Sequence, residues 1–243
     1  MLEFTTHSFL FFTRKEVWFY NGEKINKGGY TVFSAARKED AGNTVFFERY
    51  STSVIDLRRS ENELHDAIHS TFKYDIRVAE KNSIYTTLIA DPSHADCLKL
   101  INDYGEFAIE KKLSPMKKNW IMALHKKGNI YITKAFLESA EIATHIYIFD
   151  KETISLVSSF HNNAFTDQKL RSAANKLLHW KDIIEFKKQG FLHYDFGGLN
   201  LNKLPGVSKF KMNFGGETTD NFRFIKTSNL VYRLIKMFKK TNG

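Results

Sequence analysis

Short apolar runs separated by polar interruptions dominate the first 57 residues. The stretches SFLFF, EVWFYN, GGYTVFSAA and NTVFFERYSTSVIDL are rich in Phe, Tyr, Val and Thr, the residue types that favour strands. The pairs Asn21-Gly22 and Gly28-Gly29 separate some of these runs and are typical of turns. We therefore predict a β-rich N-terminal segment over residues 1–57.

From residue 58 the pattern changes to an alternation of helices and strands. Ser60, with Glu63 three residues later, is the signature of a capping box at a helix start. The segment 167–190 has apolar residues at helical spacing and ends at Gly190, and we expect its His179 to pack in the core. Several predicted strands follow one another without a helix between them. The predicted fold class is therefore α/β, with a mixed, mostly antiparallel sheet flanked by helices.

Composition narrows the class of protein. Of the 243 residues, 42% are apolar and 14% are aromatic, which is typical of a globular chain with a large core. The 36 basic and 27 acidic residues give a formal net charge of +9, which favours phosphate-bearing partners or leaves a solvated basic surface. A single cysteine, Cys97, excludes an internal disulfide and a cysteine-rich zinc site. No leader peptide or membrane-spanning stretch is recognisable, and we expect a cytoplasmic protein.

Common cofactor and hydrolase motifs are missing from the sequence. There is no G-x-G-x-x-G after a strand and no G-x-x-x-x-G-K-[ST], which weakens dinucleotide-binding and P-loop interpretations. There is also no H-E-x-x-H and no G-x-S-x-G, which weakens metalloprotease and α/β-hydrolase interpretations. We expect neither a bound metal nor a prosthetic group.

The most informative stretch lies between Asn175 and Glu217. A helix of the form N-x-x-L-x-W leads to a terminal glycine, and the next strand carries Y-D-x-G-G. The pattern continues with Phe210-Lys211 and Phe214-Gly215-Gly216. This pattern resembles the Fem family of peptidoglycan bridge-forming aminoacyltransferases and the related acetyltransferase-like domains of the GNAT superfamily. The resemblance implies a GNAT-like acyltransferase domain over residues 58–243, preceded by the β-rich segment 1–57.

The sequence departs from that family in ways that affect the donor substrate. Fem enzymes carry two such modules in tandem, and the first 57 residues are too short for a second one. The phosphate-binding turn of ordinary acetyltransferases, Arg/Gln-x-x-Gly-x-Gly/Ala, has no counterpart in residues 165–173, which contain no glycine. The donor therefore stays open between acyl-coenzyme A and aminoacyl-tRNA, with acyl-coenzyme A as the leading expectation.

Three residues are candidates for catalysis. The resemblance places a catalytically important lysine at Lys211, where a fixed cation would stabilise the tetrahedral oxyanion of acyl transfer; Lys209 is the competing position. Asp195, near a strand's end, either orients an amine and takes its proton or caps the turn. Among nine histidines, His161 at the end of a predicted strand is the preferred general base, and His193 is the second choice.

Residues that bind the donor are expected at two places. The helix that begins near Asp167 offers backbone N–H groups to an anion at its N-terminus. Lys169 and Arg171 in its first turns would add contacts to phosphate, or else lie solvated on the surface. Gly197 and Gly198, which follow a strand, either let a ligand approach the backbone closely or form a plain tight turn.

The expected function is N-acyl transfer from acyl-CoA to an amine of a cell-envelope precursor, an amino sugar or a peptide. The acceptor is expected to be a small, lipid-linked or nucleotide-linked molecule. One alternative is a tRNA-dependent aminoacyltransferase of the peptidoglycan-bridge type, which would bind aminoacyl-tRNA. Another is a non-catalytic binding module that keeps the GNAT fold.

The C-terminal segment 228–240 is expected to form a basic helix. It combines an apolar stripe with four cations: Leu230, Leu234 and Phe238 with Arg233, Lys236, Lys239 and Lys240. Such a helix either packs on the core or touches the inner face of an anionic membrane.

Overall fold

The computed structural model describes residues 1–7, 13–25, 29–40, 44–228 and 230–233. Within them the chain forms two compact units. The first comprises the described residues of Met1–Ser51 and Thr219–Gly243, and the second comprises Thr52–Thr218. The chain leaves the first unit at Ser51, six residues before the expected boundary at 57, and returns to it at Thr219. The second unit holds all of the expected catalytic and donor-binding residues.

The first unit is rich in strands, as the sequence predicts. It contains β1 (Leu2–His7), β2 (Thr13–Trp18), β3 (Tyr30–Ala36), the first part of β4 (Thr44–Asp56) and most of the last strand, β10 (Glu217–Thr227). β1 and β2 pair antiparallel, β2 and β3 pair parallel, and β3 and β10 pair antiparallel. Phe33 stacks on Phe224 at 4.2 Å between ring centroids, in a small core with Val17, Tyr20 and Ala36.

The second unit contains a sheet that starts with the last part of β4. It continues in the order β9 (His193–Gly198), β8 (Thr153–His161), β7 (Ala140–Phe149), β6 (Ile130–Leu137) and β5 (Tyr85–Ile89). Neighbouring strands pair antiparallel, except that β8 and β9 pair parallel. A parallel pair needs a crossover connection, and a long helix between β8 and β9 supplies it. The predicted mixed, mostly antiparallel sheet is confirmed.

Helices flank the sheet of the second unit. They are α1 (Glu61–Ala67), α2 (Ser70–Lys81), α3 (His94–Glu110), α4 (Lys118–Lys127), α5 (Gln168–Lys188) and α6 (Pro205–Met212). α5 is the crossover helix, and it packs against α2, β6 and β7, while α3 contacts α4 and β8. Leu177, Leu178, Ile183 and Phe186 of α5 are buried in the main core. Because α5 packs against β6 and β7, its buried side chains meet side chains of the central strands, including those of β9.

The ends of the helices follow local signals in the sequence. The Ser60 side chain accepts from the Glu63 N–H while the Glu63 carboxylate accepts from the Ser60 N–H, so the predicted capping box is confirmed. α5 ends at Lys188 with Gln189 as its C-cap, and Gly190 follows with φ +88°, the left-handed conformation that favours glycine. The helix that starts at Ser60 is shorter than the pattern suggests, because the extended backbone of Ile68 separates α1 from α2.

Beyond β10 the structure describes only a few residues. Residues 230–233 are helical, and Leu230 is exposed. Leu234, Lys236, Phe238, Lys239 and Lys240, which carry most of the expected C-terminal membrane helix, lie outside the described residues. In the part of the chain that the structure describes, no helix combines the length and the apolar character that crossing a bilayer requires.

Candidate active site

The parallel strands β8 and β9 meet over a short distance in the second unit. Their pairing comprises Thr153↔His193, Ile154↔Tyr194 and Ser155↔Asp195. In the described pairing no further rungs follow, although β8 continues to His161 and β9 to Gly198. Ligands in α/β proteins commonly bind beyond the carboxyl ends of parallel strands. The carboxyl end of β9 is therefore a natural place for a site.

The end of β9 is a turn that requires glycine. Gly197 has φ +73°, and a Cβ atom at this position would lie 3.1 Å from the carbonyl oxygen of Leu156. The Gly197 N–H donates to Asp195 Oδ1 at 2.7 Å, and the Thr52 hydroxyl donates to the same oxygen. Asp195 is only 4% exposed. These contacts are those of a carboxylate that caps the turn and ties it to β4, the second of the two roles considered for Asp195.

Lys211 joins this turn from α6. Its Nζ donates to the carbonyl oxygen of Gly198 at 2.8 Å and would lie 3.9 Å from a Cβ atom at Gly197. Burial lowers the pKa of Lys211, and the negative charge of Asp195 opposes that shift. The structure thus brings together Lys211, Asp195, Gly197 and Gly198. Lys209, two residues earlier on α6, is exposed.

His161 lies on β8, beyond the part of the strand that pairs with β9. It ends β8, six residues beyond Ser155, the residue that pairs with Asp195. Its ring packs edge-on against Phe107, with 5.0 Å between centroids. Burial lowers the pKa of His161, and the positive charges of Arg171 and Lys111 lower it further. Its described contacts include neither Lys211 nor the Gly197 turn.

The N-terminus of α5 already holds an anionic group. Asp167 is its N-cap, and the Asp167 carboxylate accepts from the Leu170 N–H at 2.9 Å. The Asp167 side chain thus satisfies one of the N–H groups that were expected to meet an anion. Lys169 is exposed, and Arg171 Nη1 donates to the carbonyl oxygen of Phe165 at 3.4 Å. The positive charge of Arg171 acts on His161, and none of the described contacts of Lys169 or Arg171 involves Lys211.

A buried polar network lies beneath β9, and the sequence analysis missed it. Tyr194 Oη lies 2.8 Å from Tyr147 Oη and 2.9 Å from His179 Nδ1. Tyr147 donates to Asp182 Oδ2 at 2.6 Å, and the same oxygen lies 2.8 Å from His145 Nδ1. Burial raises the pKa of both tyrosines and lowers the pKa of His179, so these three groups are neutral near pH 7.

His179 also links this network to the helix that carries Lys211. Its ring lies 5.5 Å from that of Phe210 and 5.2 Å from that of Phe214. Both phenylalanines pack in turn on Phe72 of α2. The expectation that His179 packs in the core is confirmed, and its hydrogen bond to Tyr194 adds a connection that packing alone does not imply.

Comparison with known proteins was informative only at the level of structure. No protein-family model matches the sequence, and no curated protein does. Among solved structures, FemX has a TM-score of 0.61 at 14% identity, covering 85% of this chain and 68% of its own. L-PGS from Bacillus licheniformis has a TM-score of 0.56 at 13% identity, covering 84% and 71%. The C-terminal domain of a putative lysylphosphatidylglycerol synthetase from Agrobacterium fabrum has a TM-score of 0.54 at 8% identity, covering 86% and 71%.

The fold is similar to that of FemX. At the level of the fold, the resemblance inferred from the Y-D-x-G-G and F-K-x-x-F-G-G motifs is confirmed. Identities of 14% and below concern the architecture and carry no statement about this chain's substrate.

Among the described residues, one group has side chains of metal-ligating type. His145, His179 and Asp182 are all buried, and their ligand atoms lie within 4.8 Å of one another. The two imidazole rings lie 4.0 Å apart between centroids, with their planes tilted by 31°. Each Nδ1 already has a hydrogen-bond partner, Asp182 for His145 and Tyr194 for His179. We interpret the group as part of the hydrogen-bond network.

Proposed function

We propose that this chain is an N-acyltransferase that passes an acyl group to an amine of a cell-envelope precursor, an amino sugar or a peptide. The observation that carries the proposal is the position of Lys211, whose ammonium group lies at the carboxyl end of β9 beside the Gly197 turn. A hydrogen-bond donor held where the carbonyl oxygen becomes an oxyanion accelerates acyl transfer, and an ammonium group adds its positive charge to that donor.

The proposed reaction is addition followed by elimination. The lone pair of the acceptor amine attacks the acyl carbonyl carbon, and the electron pair of the C=O bond moves to oxygen. The resulting oxyanion accepts a hydrogen bond from Lys211 Nζ. An ammonium group carries three N–H donors, so the bond to the Gly198 carbonyl leaves donors for the oxyanion. Collapse of the intermediate re-forms C=O and expels the leaving group, and the proton of the amine passes to the leaving group or to water.

Asp195 has a positioning role in this mechanism. Its Oδ1 already accepts from Gly197 and Thr52, which fixes the turn whose carbonyl at Gly198 holds Lys211. Its negative charge also favours the protonated form of Lys211, the form that stabilises an oxyanion. Asp195 thus helps to hold Lys211 in position and favours its protonated form.

The identity of the donor separates two versions of the proposal. With acyl-CoA the leaving group is a thiolate, and with aminoacyl-tRNA it is a ribose hydroxyl. The net charge of +9 suits either donor, since both carry phosphate groups.

A transfer assay with both donor types tests the proposal. The purified chain is offered acyl-CoAs or charged tRNA together with nucleotide-linked amino sugars and lipid-linked peptides, and product is measured for wild type, Lys211→Ala and the exposed control Lys209→Ala. Transfer that depends on Lys211 and not on Lys209 supports the proposal, and the active donor decides its version. No transfer from either donor, with no shift in melting temperature on adding them, would favour a non-catalytic binding module.

A further inference from the structure

The segment between β9 and the middle of α6 exposes three large apolar side chains. Leu201 is 60% exposed, Leu204 56% and Val207 50%. Leu201 lies in the turn before α6, Leu204 at its N-cap and Val207 in its first turn, so the three exposed side chains fall within seven residues. Contiguous apolar patches on a soluble surface commonly mark a contact with another molecule or a membrane.

The exposure of these side chains does not come from a loose loop. The Asn200 N–H donates to the Ser208 hydroxyl at 2.8 Å, and Ser208 is only 1% exposed. Asn200 Oδ1 accepts from the Lys203 N–H at 2.8 Å, and the Asn200 carbonyl accepts from the Leu204 N–H at 2.9 Å. The backbone of the segment is thus ordered by its own hydrogen bonds, and its apolar side chains are held outward.

The residues of α6 have two different surroundings. Phe210 contacts the Phe72 ring of the core, and Lys211 donates to the Gly198 carbonyl. Val207 is exposed on the same helix, and Leu201 and Leu204 lie just before it in the chain. The exposed apolar residues therefore lie on and next to the helix that carries Lys211.

The charge of residues 196–216 indicates which kind of partner surface the exposed apolar residues would contact. Residues 196–216 contain three lysines and no Asp or Glu. Lys203 and Lys209 are both exposed; in the sequence Lys203 lies between Leu201 and Leu204, and Lys209 follows Val207 by two residues. Apolar side chains bordered by lysines, with no acidic group among them, complement a bilayer that presents anionic headgroups over an apolar interior.

We propose that Leu201, Leu204 and Val207 insert into the surface of an anionic lipid bilayer, with Lys203 and Lys209 contacting its headgroups. Such docking holds the end of β9, with Lys211, near the membrane surface. The proposal is independent of the proposed function, because binding to vesicles is measured without turnover. It also differs from the expected contact through the C-terminal helix, which uses other residues.

Vesicle co-sedimentation tests the proposal. The purified full chain is mixed with phosphatidylcholine vesicles with or without phosphatidylglycerol. We expect binding only to the phosphatidylglycerol vesicles. The variant Leu201→Ser/Leu204→Ser/Val207→Ser should lower the partition coefficient by about tenfold or more because it removes the inserting surface. Lys203→Gln/Lys209→Gln should lower it by about fivefold for each lysine, an effect that rising salt removes.

A matched control separates this patch from a general attraction of a basic protein. Ile109 and Leu113 are 82% and 51% exposed and flank Lys111 and Lys112, and Ile109→Ser/Leu113→Ser should leave vesicle binding unchanged. Unchanged melting temperatures show that the variants are folded. Lack of binding to phosphatidylglycerol vesicles, full binding by the triple serine variant, or an equal loss in the control would each overturn the proposal.

Discussion

Strand β9 has two neighbouring residues with very different surroundings. Tyr194 is fully buried, and its hydroxyl is bonded to Tyr147 and His179 in a network that continues to Asp182. The next residue, Asp195, belongs to the turn at the strand's end, where Lys211 meets the Gly198 carbonyl. Tyr194 therefore belongs to a buried network in which the described hydroxyl and Nδ1 atoms have hydrogen-bond partners. Asp195, the next residue, belongs to a turn where the charged nitrogen of Lys211 is half-buried.

The buried network around Tyr194 and the turn at Lys211 are expected to have different roles. The network joins three elements through side chains: β7 through Tyr147, α5 through His179 and Asp182, and β9 through Tyr194. Networks of this kind stabilise one packing arrangement, because breaking them leaves buried polar groups unpaired. The turn at Lys211 places one cation at the end of a strand, which suits a group that must meet a reacting oxygen. Mutations in the first region should change stability, and those in the second should change rate.

The largest expected effect is on stability, at Asp182. Its Oδ2 accepts from Thr133 at 3.0 Å and from Tyr147 at 2.6 Å and lies beside His145 Nδ1, so Asp182→Ala leaves buried groups without a partner. We expect a loss of about 3–5 kcal/mol in the free energy of unfolding, measured by urea denaturation. Glu185 lies on the same helix, and the described contact of its side chain is the hydrogen bond that it accepts from the Gln189 side chain. Glu185→Ala should therefore lower the free energy of unfolding by about 0.5 kcal/mol or less. Equal losses in the two variants would show that the network has no special weight.

The second effect is on rate, at Lys211. If its ammonium stabilises the oxyanion, Lys211→Ala should lower kcat by about 10²–10³-fold while the KM for the donor hardly changes. Lys211→Arg should restore part of the rate at best, because a planar guanidinium cannot place its charge as an ammonium does. The melting temperature should stay close to wild type in both. A near-normal kcat for Lys211→Ala, or an equal loss for Lys209→Ala, would contradict the assignment.

The sequence predicts one of these regions far better than the other. The turn and its lysine lie within the 17 residues from Asp195 to Lys211, and their spacing forms a recognisable motif. The network instead depends on α5 packing against β7, so His145 and Asp182 meet across 37 positions of the chain. Two local signals existed: His145 and Tyr147 alternate onto one strand face, and His179 and Asp182 are three apart on one helix face. Neither signal reveals that the two faces meet.

The same distinction applies to the fold. Capping at Ser60 and the glycine after α5 are local and were predictable, as was the mixed sheet. The parallel pairing of β2 with β3 and the return of β10 to the first unit depend on contacts between distant segments.

A third, smaller effect concerns the turn itself. Gly197→Ala places a Cβ 3.1 Å from the Leu156 carbonyl on a residue with φ +73°. We expect a loss of about 1–3 kcal/mol in unfolding free energy, together with a lower kcat because the neighbouring Gly198 carbonyl holds Lys211. Gly206→Ala is the matched control: a Cβ there meets no atom within 4 Å, and alanine in a helix should be neutral or stabilising. A stable, fully active Gly197→Ala variant would mean that the turn does not position Lys211.

The smallest effect is a change in the shape of a pH profile. Lys211 stabilises an oxyanion only when protonated, and burial lowers its pKa against the opposing charge of Asp195. The rate should therefore fall as the pH rises through this lowered value, earlier than it would for a solvated lysine. In Lys211→Arg the guanidinium stays charged throughout, so the alkaline decline should disappear even though the rate is lower. The profile of kcat against pH, taken with one donor and one acceptor, checks this, and Lys209→Ala should keep the decline. Titration of the acceptor amine affects all variants alike. If the alkaline decline of kcat is unchanged in Lys211→Arg, another group causes the decline, and the proposed contact of the Lys211 ammonium with the oxyanion is contradicted.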